Sequence, residues 1–224
     1  PDDEITCAGT LARMAKAGAR VILLYLTHGE AARDTGYGPD ELARVRLAEA
    51  KAAGRLLGAE AVEVLDFPDG GLIRLDPAKP KAAIAEAIGR YRPQVLISFD
   101  EKVGFYGHPD HVRTGVWVRE VFEAAPKDGP WPRLLYQVTL PGALVRLARR
   151  LVAAFREHYP RDPAKGLPPP ELAVSIAREA QTKRDLLDVH ASQAKIIADV
   201  QPYYDRAPAW LYYRLFDREY FAAI

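Results

Sequence analysis

The 224-residue sequence contains no asparagine, one cysteine (Cys7) and one methionine. A single thiol excludes an internal disulfide and a cysteine-rich metal cluster, so any metal here must be held by histidine and carboxylate. A reducing compartment fits, and a cytoplasmic location is expected. No apolar run reaches the ~18 or more residues of a membrane-spanning helix. Charge of one sign is missing too: 31 basic against 30 acidic residues leave a net charge of +1, and the basic residues are dispersed rather than gathered in a stripe. That argues against nucleic acid as a partner. An initiator methionine is absent, and the first recognisable strand begins only at Arg20. The chain is therefore expected to start mid-element, with a strand and any leader upstream of residue 1.

What remains is the composition of one globular domain of ordinary size, 49% hydrophobic and 27% charged. Apolar spacing predicts a helix from Glu4 to Lys16, with Asp2 or Asp3 near its cap and Gly18 at its end. "RVILLYLT", Arg20 to Thr27, reads as a buried strand, and "HGEAARDTGYGPD" as a ligand-holding loop before a helix from about Glu41 to Leu57. The cycle repeats with strands near Ala61 to Asp66 and Gln94 to Phe99, a helix near Lys81 to Tyr91 and another running toward Glu123. A strand at Arg133 to Thr139, a helix at Ala143 to His158 and a Pro-rich loop, "YPRDPAKGLPPPE", follow. Alternating strands and helices indicate βαβ units, and hence an α/β fold: a three-layer, mostly parallel, doubly wound (Rossmann-like) sheet. Ligands then bind at the carboxyl ends of the strands.

Two stretches stand at such ends. "PDDE" opens the chain, and "GFYGHPDHVRTG" runs from Gly104 to Gly115. Acids at a helix start favour its positive end, so capping alone accounts for the first stretch. In the second, Pro109 suits the first turn of a helix and His108 and His111 lie three apart, so His108 as a cap and His111 as a packing residue is the plain alternative. Taken together, Asp and His at one rim are sound ligands for a divalent ion, and a His/His/carboxylate set with an open water position is a common catalytic zinc site.

At this point the sequence resembles the LmbE-like, or PIG-L-type, zinc-dependent N-deacetylases. Their hallmark Ala-His-Pro-Asp-Asp-Glu is matched from Pro1 onward by "PDDE", which puts the preceding His just before residue 1; the second hallmark, His-Pro-Asp-His, is intact at His108 to His111. "THGE", "RLAE", "FPDGGL" and "KRDLLDVHASQ" follow family patterns in the expected order. The resemblance implies Zn2+, or another divalent transition metal, held by Asp3, His111 and the upstream His. It makes Asp2 the general base, and His108 the stabiliser of the oxyanion, provided the ring is held as imidazolium with Asp110 favouring that charge. Tyr106 falls where family members carry a Tyr that assists the oxyanion; loop packing explains it equally well. Arg46 and Asp69 match positions that contact sugar hydroxyls, the alternative for Arg46 being an i,i+3 pair with Glu49. His190 matches a late motif but reads equally as a structural His, and His28 and His158 are taken as structural or exposed.

The implied activity is removal of the N-acetyl group from an N-acetylglucosamine-type sugar or glucosaminide conjugate, a small-molecule substrate. A metal-dependent phosphoesterase and a non-catalytic sugar-binding module on the same fold are the alternatives. A phosphoesterase would normally want two metals. The loops at Ala31 to Asp40 and Arg161 to Pro170 are where the amine's identity would be read. The sequence leaves the assembly open between a monomer and a homo-oligomer.

Overall fold

The computed structural model describes residues 2–33, 35–126, 129 and 132–224. Pro1 of the acidic stretch and Asp34 of the first loop lie outside them. In chain order the elements are α1 (Ala8–Lys16), β1 (Ile22–Tyr25), α2 (Pro39–Leu57), β2 (Ala61–Val64), α3 (Ala78–Tyr91), β3 (Val95–Ser98), α4 (Gly104–Gly107), α5 (Pro109–Ala124) and β4 (Leu134–Thr139). They continue with α6 (Gly142–Leu151), α7 (Ala153–His158), β5 (Leu172–Ser175), α8 (Ala180–Val189), α9 (Ala194–Val200), α10 (Ala209–Leu215) and β6 (Arg218–Ala223). The chain forms two compact units: Pro1–Asp69 with Val174–Glu219, and Gly70–Ala173 with Tyr220–Ile224.

In the first unit β1 and β2 pair in parallel, Ile22 opposite Ala61 and Tyr25 opposite Val64, joined through α2 as a βαβ crossover. Pro39 at the first turn and the acids Asp40 and Glu41 beside it start α2. Gly58, in the left-handed region, ends it by turning its amide back onto the Arg55 and Gly54 carbonyls. The acidic stretch does not extend α1. It forms a separate 3-10 turn, Asp3–Thr6, and the Asp2 side chain makes no capping bond. The start of α1 is instead capped from the far end of the sequence: Glu219 accepts from Gly9 N at 3.0 Å and Thr10 N at 2.7 Å.

The second unit carries the parallel pair β3 and β4, with Val95 opposite Leu134, connected through α5. These two strands belong to a sheet of order β3-β4-β6-β5, in which β6 runs antiparallel to β4. The fold is thus α/β, as expected, but this sheet is mixed rather than parallel. An apolar run buries equally well in either direction; only a crossover connection obliges two strands to run the same way. The helix expected from Ala143 to His158 is broken at Val152, whose φ of −108° and ψ of 121° leave the helical basin.

Candidate active site

In the first unit the side chains of the acidic stretch point to long-range partners. Asp2 Oδ1 accepts from Arg46 Nη2 at 2.7 Å, and Arg46 Nη1 donates to the Gly29 carbonyl at 2.9 Å. The Arg46 side chain is only 5% exposed and Asp2 22%, so the pair is partly shielded from water and directional. Arg46 therefore orients Asp2. Glu49, one turn further along α2, accepts Ser192 N and Ser192 Oγ, both at 2.7 Å, which anchors the "HASQ" segment to that helix. Asp69 closes the loop after β1: its carboxylate accepts from Ala31 N at 3.0 Å and from the Thr27 hydroxyl at 3.4 Å, while its own amide donates to Glu30. His28 lies against Asp66, Nε2 to Oδ1 at 2.8 Å.

Glu4 is buried, and its two oxygens meet Tyr25 Oη at 2.7 Å and His190 Nε2 at 2.6 Å. Burial, reinforced by the Glu4 charge, pushes the Tyr25 phenol well above its usual range, so Tyr25 stays a neutral donor. For His190 burial favours the neutral ring, yet the hydrogen bond and charge of Glu4, with Asp2 behind it, outweigh burial and raise its pKa. A histidine raised on folding contributes stability that is complete below its unfolded value of ~6.5 and is lost as pH rises through the folded one. The melting temperature of the metal-free protein should therefore fall as pH climbs through that window, and His190→Gln should flatten the slope. Equal slopes in the two proteins would remove the Glu4–His190 pair from the account. Sequence reasoning gave Glu4 and Tyr25 no task; a third carboxylate after two functional ones was the available signal.

In the second unit, His108 is the cap of α5: its Nδ1 accepts from Asp110 N at 3.3 Å, and Pro109 follows at the first helical position. An Nδ1 that accepts an amide proton carries none of its own. In that arrangement Nε2 is the ring nitrogen that can donate. Asp110 is 5% exposed, and its Oδ1 accepts from Leu72 N of the "FPDGGL" segment at 3.2 Å. His111 Nδ1 lies 3.1 Å from the Gly104 carbonyl. Because a carbonyl only accepts, Nδ1 is the nitrogen that donates, as in the tautomer typical of a metal-ligating histidine. Phe99 stacks on His111 with centroids 4.0 Å apart and planes at 4°, and Tyr106 meets the same ring edge-on at 5.2 Å. Tyr106 thus packs in the loop and stands beside both imidazoles, 6.0 Å from that of His108.

Asp2, Asp3, Arg46 and Asp69 belong to the first unit, and Tyr106, His108, Asp110 and His111 to the second. Among the described residues no three His, Cys, Asp or Glu side chains form a ready cation cage. By residue type alone, the carboxylates Asp2 and Asp3 in the first unit and the His111 imidazole in the second are each donors suited to a divalent transition metal.

Residues 1–122 match the PIG-L family, described as GlcNAc-PI de-N-acetylase. The chain belongs to the PIG-L family. A 1D-myo-inositol 2-acetamido-2-deoxy-alpha-D-glucopyranoside deacetylase of Rhodococcus erythropolis is 32% identical, over 88% of this chain and 79% of the relative. The enzyme of the same name from Kineococcus radiotolerans is 33% identical, over 75% of this chain; the chain spans 57% of that relative's length. Among solved structures, an N,N'-diacetylchitobiose deacetylase from Pyrococcus horikoshii superimposes with a TM-score of 0.71 at 20% identity, covering 100% of this chain and 80% of that one. At that identity the likeness establishes a shared fold for this PIG-L member, and the chemistry has to be argued from its residues.

Proposed function

We propose that this chain is a metal-dependent hydrolase that removes the acetyl group from the nitrogen of an N-acetylglucosamine-type sugar or glucosaminide conjugate, releasing acetate and a free amine. The observation that carries the proposal is the His111 ring, whose Nδ1–H is donated to the Gly104 carbonyl as in a histidine that ligates through Nε2, in a member of a family described as de-N-acetylases. In this reading Asp3 and His111 are metal ligands, with zinc the first choice. A divalent ion held there would supply Lewis-acid polarisation and acidify a water. Asp2, aimed by Arg46, is the carboxylate that would accept a proton from the attacking water and return it to the leaving amine. His108 donates its Nε2 proton to the developing oxyanion, and Tyr106 adds a second donor; Asp110 steadies His108 by donating its backbone amide to Nδ1.

Asp69 and Arg46 are proposed to meet sugar hydroxyls. Two Arg46 nitrogens are already engaged by Gly29 and Asp2, so a sugar contact would be made beside those bonds. The parallel crossovers β1–α2–β2 and β3–α5–β4 support reading the fold as the three-layer, doubly wound kind, with the antiparallel β6 as a departure from it. A cytoplasmic location remains part of the proposal. No helix among the described residues is long and apolar enough to cross a membrane.

Amine release from a panel of N-acetylated sugars, with and without a chelator, tests the activity. The chelator is expected to abolish release and added zinc or another divalent ion to restore it. Undiminished turnover by protein stripped of metal would end the proposal.

A further inference from the structure

The turn that follows β3 is organised by a side chain with no part in the chemistry above. Asp100 is completely buried. Its Oδ1 accepts from Lys102 N at 2.9 Å and Val103 N at 2.7 Å, and its Oδ2 from Phe105 N at 3.1 Å. Its backbone carbonyl accepts from Gly104 N at 3.2 Å. A carboxylate removed from water needs such donors, and backbone amides cannot be exchanged for others without unmaking the turn. The turn is also bent into the left-handed region: φ is +60° at Gly104 and +72° at Phe105, the second a conformation that an aromatic residue keeps only when its surroundings hold it there.

What this bend delivers is the Gly104 carbonyl, the group that accepts the Nδ1 proton of His111. The neighbouring Phe99 lies flat on the same imidazole, and α5 closes onto the turn at Gly115, where an added Cβ would stand 2.6 Å from the Asp100 carbonyl oxygen. The carboxylate, the bent backbone, the carbonyl and the ring form one continuous chain of contacts ending at the ligating nitrogen.

We propose that Asp100 is a positioning residue. By holding the backbone of residues 102–105 it aims the Gly104 carbonyl at His111 Nδ1, and so fixes both the orientation of that ring and the tautomer that leaves Nε2 to bind a divalent ion. The inference rests on the reading of His111 as a metal ligand. Outer partners of a ligating histidine typically set affinity within a 10–100-fold range, so about that loss is expected when the partner is displaced.

Asp100→Asn tests it, because the amide retains the shape but turns an NH2 toward an N–H donor and loses at least one of the three bonds. Gly104→Ala is the second variant: with φ at +60° its Cβ would lie 2.6 Å from Val112 N and 2.7 Å from His111 Cβ, so it shifts the carbonyl and the ring together while the Asp100 carboxylate is kept. Zinc affinity is measured by competition with a chromogenic chelator, next to thermal melting and to His111→Gln as the reference for ligand loss. Nitrogen-15 NMR of the His111 ring in the metal-free, unmutated protein reports the tautomer directly. The expected result is an Nδ1-protonated ring in the unmutated protein, and about 10–100-fold weaker zinc binding in folded Asp100→Asn and Gly104→Ala. Wild-type zinc affinity in these two variants, with clear loss in His111→Gln, would overturn the positioning role and leave the ligand reading standing. Unchanged affinity in His111→Gln would remove both. An Nε2-protonated ring in the unmutated protein would overturn the positioning role whether or not the variants fold.

Discussion

Asp2→Asn is expected to lower the turnover of an N-acetylated sugar by about 10²–10⁴-fold, the range that a positioned general acid–base contributes. The substitution is nearly isosteric. An amide oxygen can still accept the Arg46 Nη2–H that Asp2 Oδ1 accepts at 2.7 Å, so the local geometry should survive while the capacity to take up a proton is lost. In free-energy terms the loss corresponds to about 3–5 kcal/mol of transition-state stabilisation. The fall should appear in kcat with KM and metal content little changed, since Asp2 is proposed to stand off the metal. Asp3→Asn gives the contrast, because a ligand's loss shows first in bound metal. Steady-state kinetics on both variants, with metal analysis of the same samples, separates the two carboxylates. If Asp2→Asn retained turnover within a few fold of the parent, the base would have to be sought elsewhere.

Lys183→Met is expected to destabilise the fold by about 3–5 kcal/mol, the usual result of stranding one member of a buried ion pair. Lys183 Nζ lies 2.5 Å from Glu219 Oε1, with the two side chains only 8% and 2% exposed. The same carboxylate caps α1 through Gly9 N and Thr10 N, and the ammonium also stands 5.9 Å from the centre of the Tyr213 ring. Without Lys183 those two amides are the remaining hydrogen-bond donors recorded to the Glu219 carboxylate, which stays buried. For a chain of this size the loss translates to a fall in melting temperature of roughly 6–20 °C. The double variant Lys183→Met with Glu219→Gln should recover part of it, since a neutral amide can keep a cap while shedding the unpaired charge. Calorimetry on the single and double variants decides. A melting point for Lys183→Met within experimental error of the parent would mean that the pair is not buried as described.

Much of the frame could be read without coordinates. Branched apolar runs gave β1, β2, β3 and β4 within a few residues, and the helix expected from about Glu41 to Leu57 is α2, which starts two residues earlier at Pro39. The His-Pro-Asp-His stretch was placed at the start of a helix because proline has no amide to lose there, and α5 begins at Pro109. What such reasoning could not supply was direction and partner. The last strand, β6, runs antiparallel to β4, and side-chain pattern carries no information about strand sense.

Residue types, their order and their spacing were settled by the sequence alone: which side chains can bind a cation, accept a proton or donate to an oxyanion, and which family this arrangement resembles. Only the tertiary structure decided what each of them does at rest. It made His108 the cap of α5, turned the Nδ1 proton of His111 onto Gly104, set Arg46 on Asp2, and brought Glu219 back to the start of α1 across 210 positions. A hydrogen bond is chosen by whichever group is nearest in space, and no periodicity in the chain encodes a neighbour that folding alone delivers.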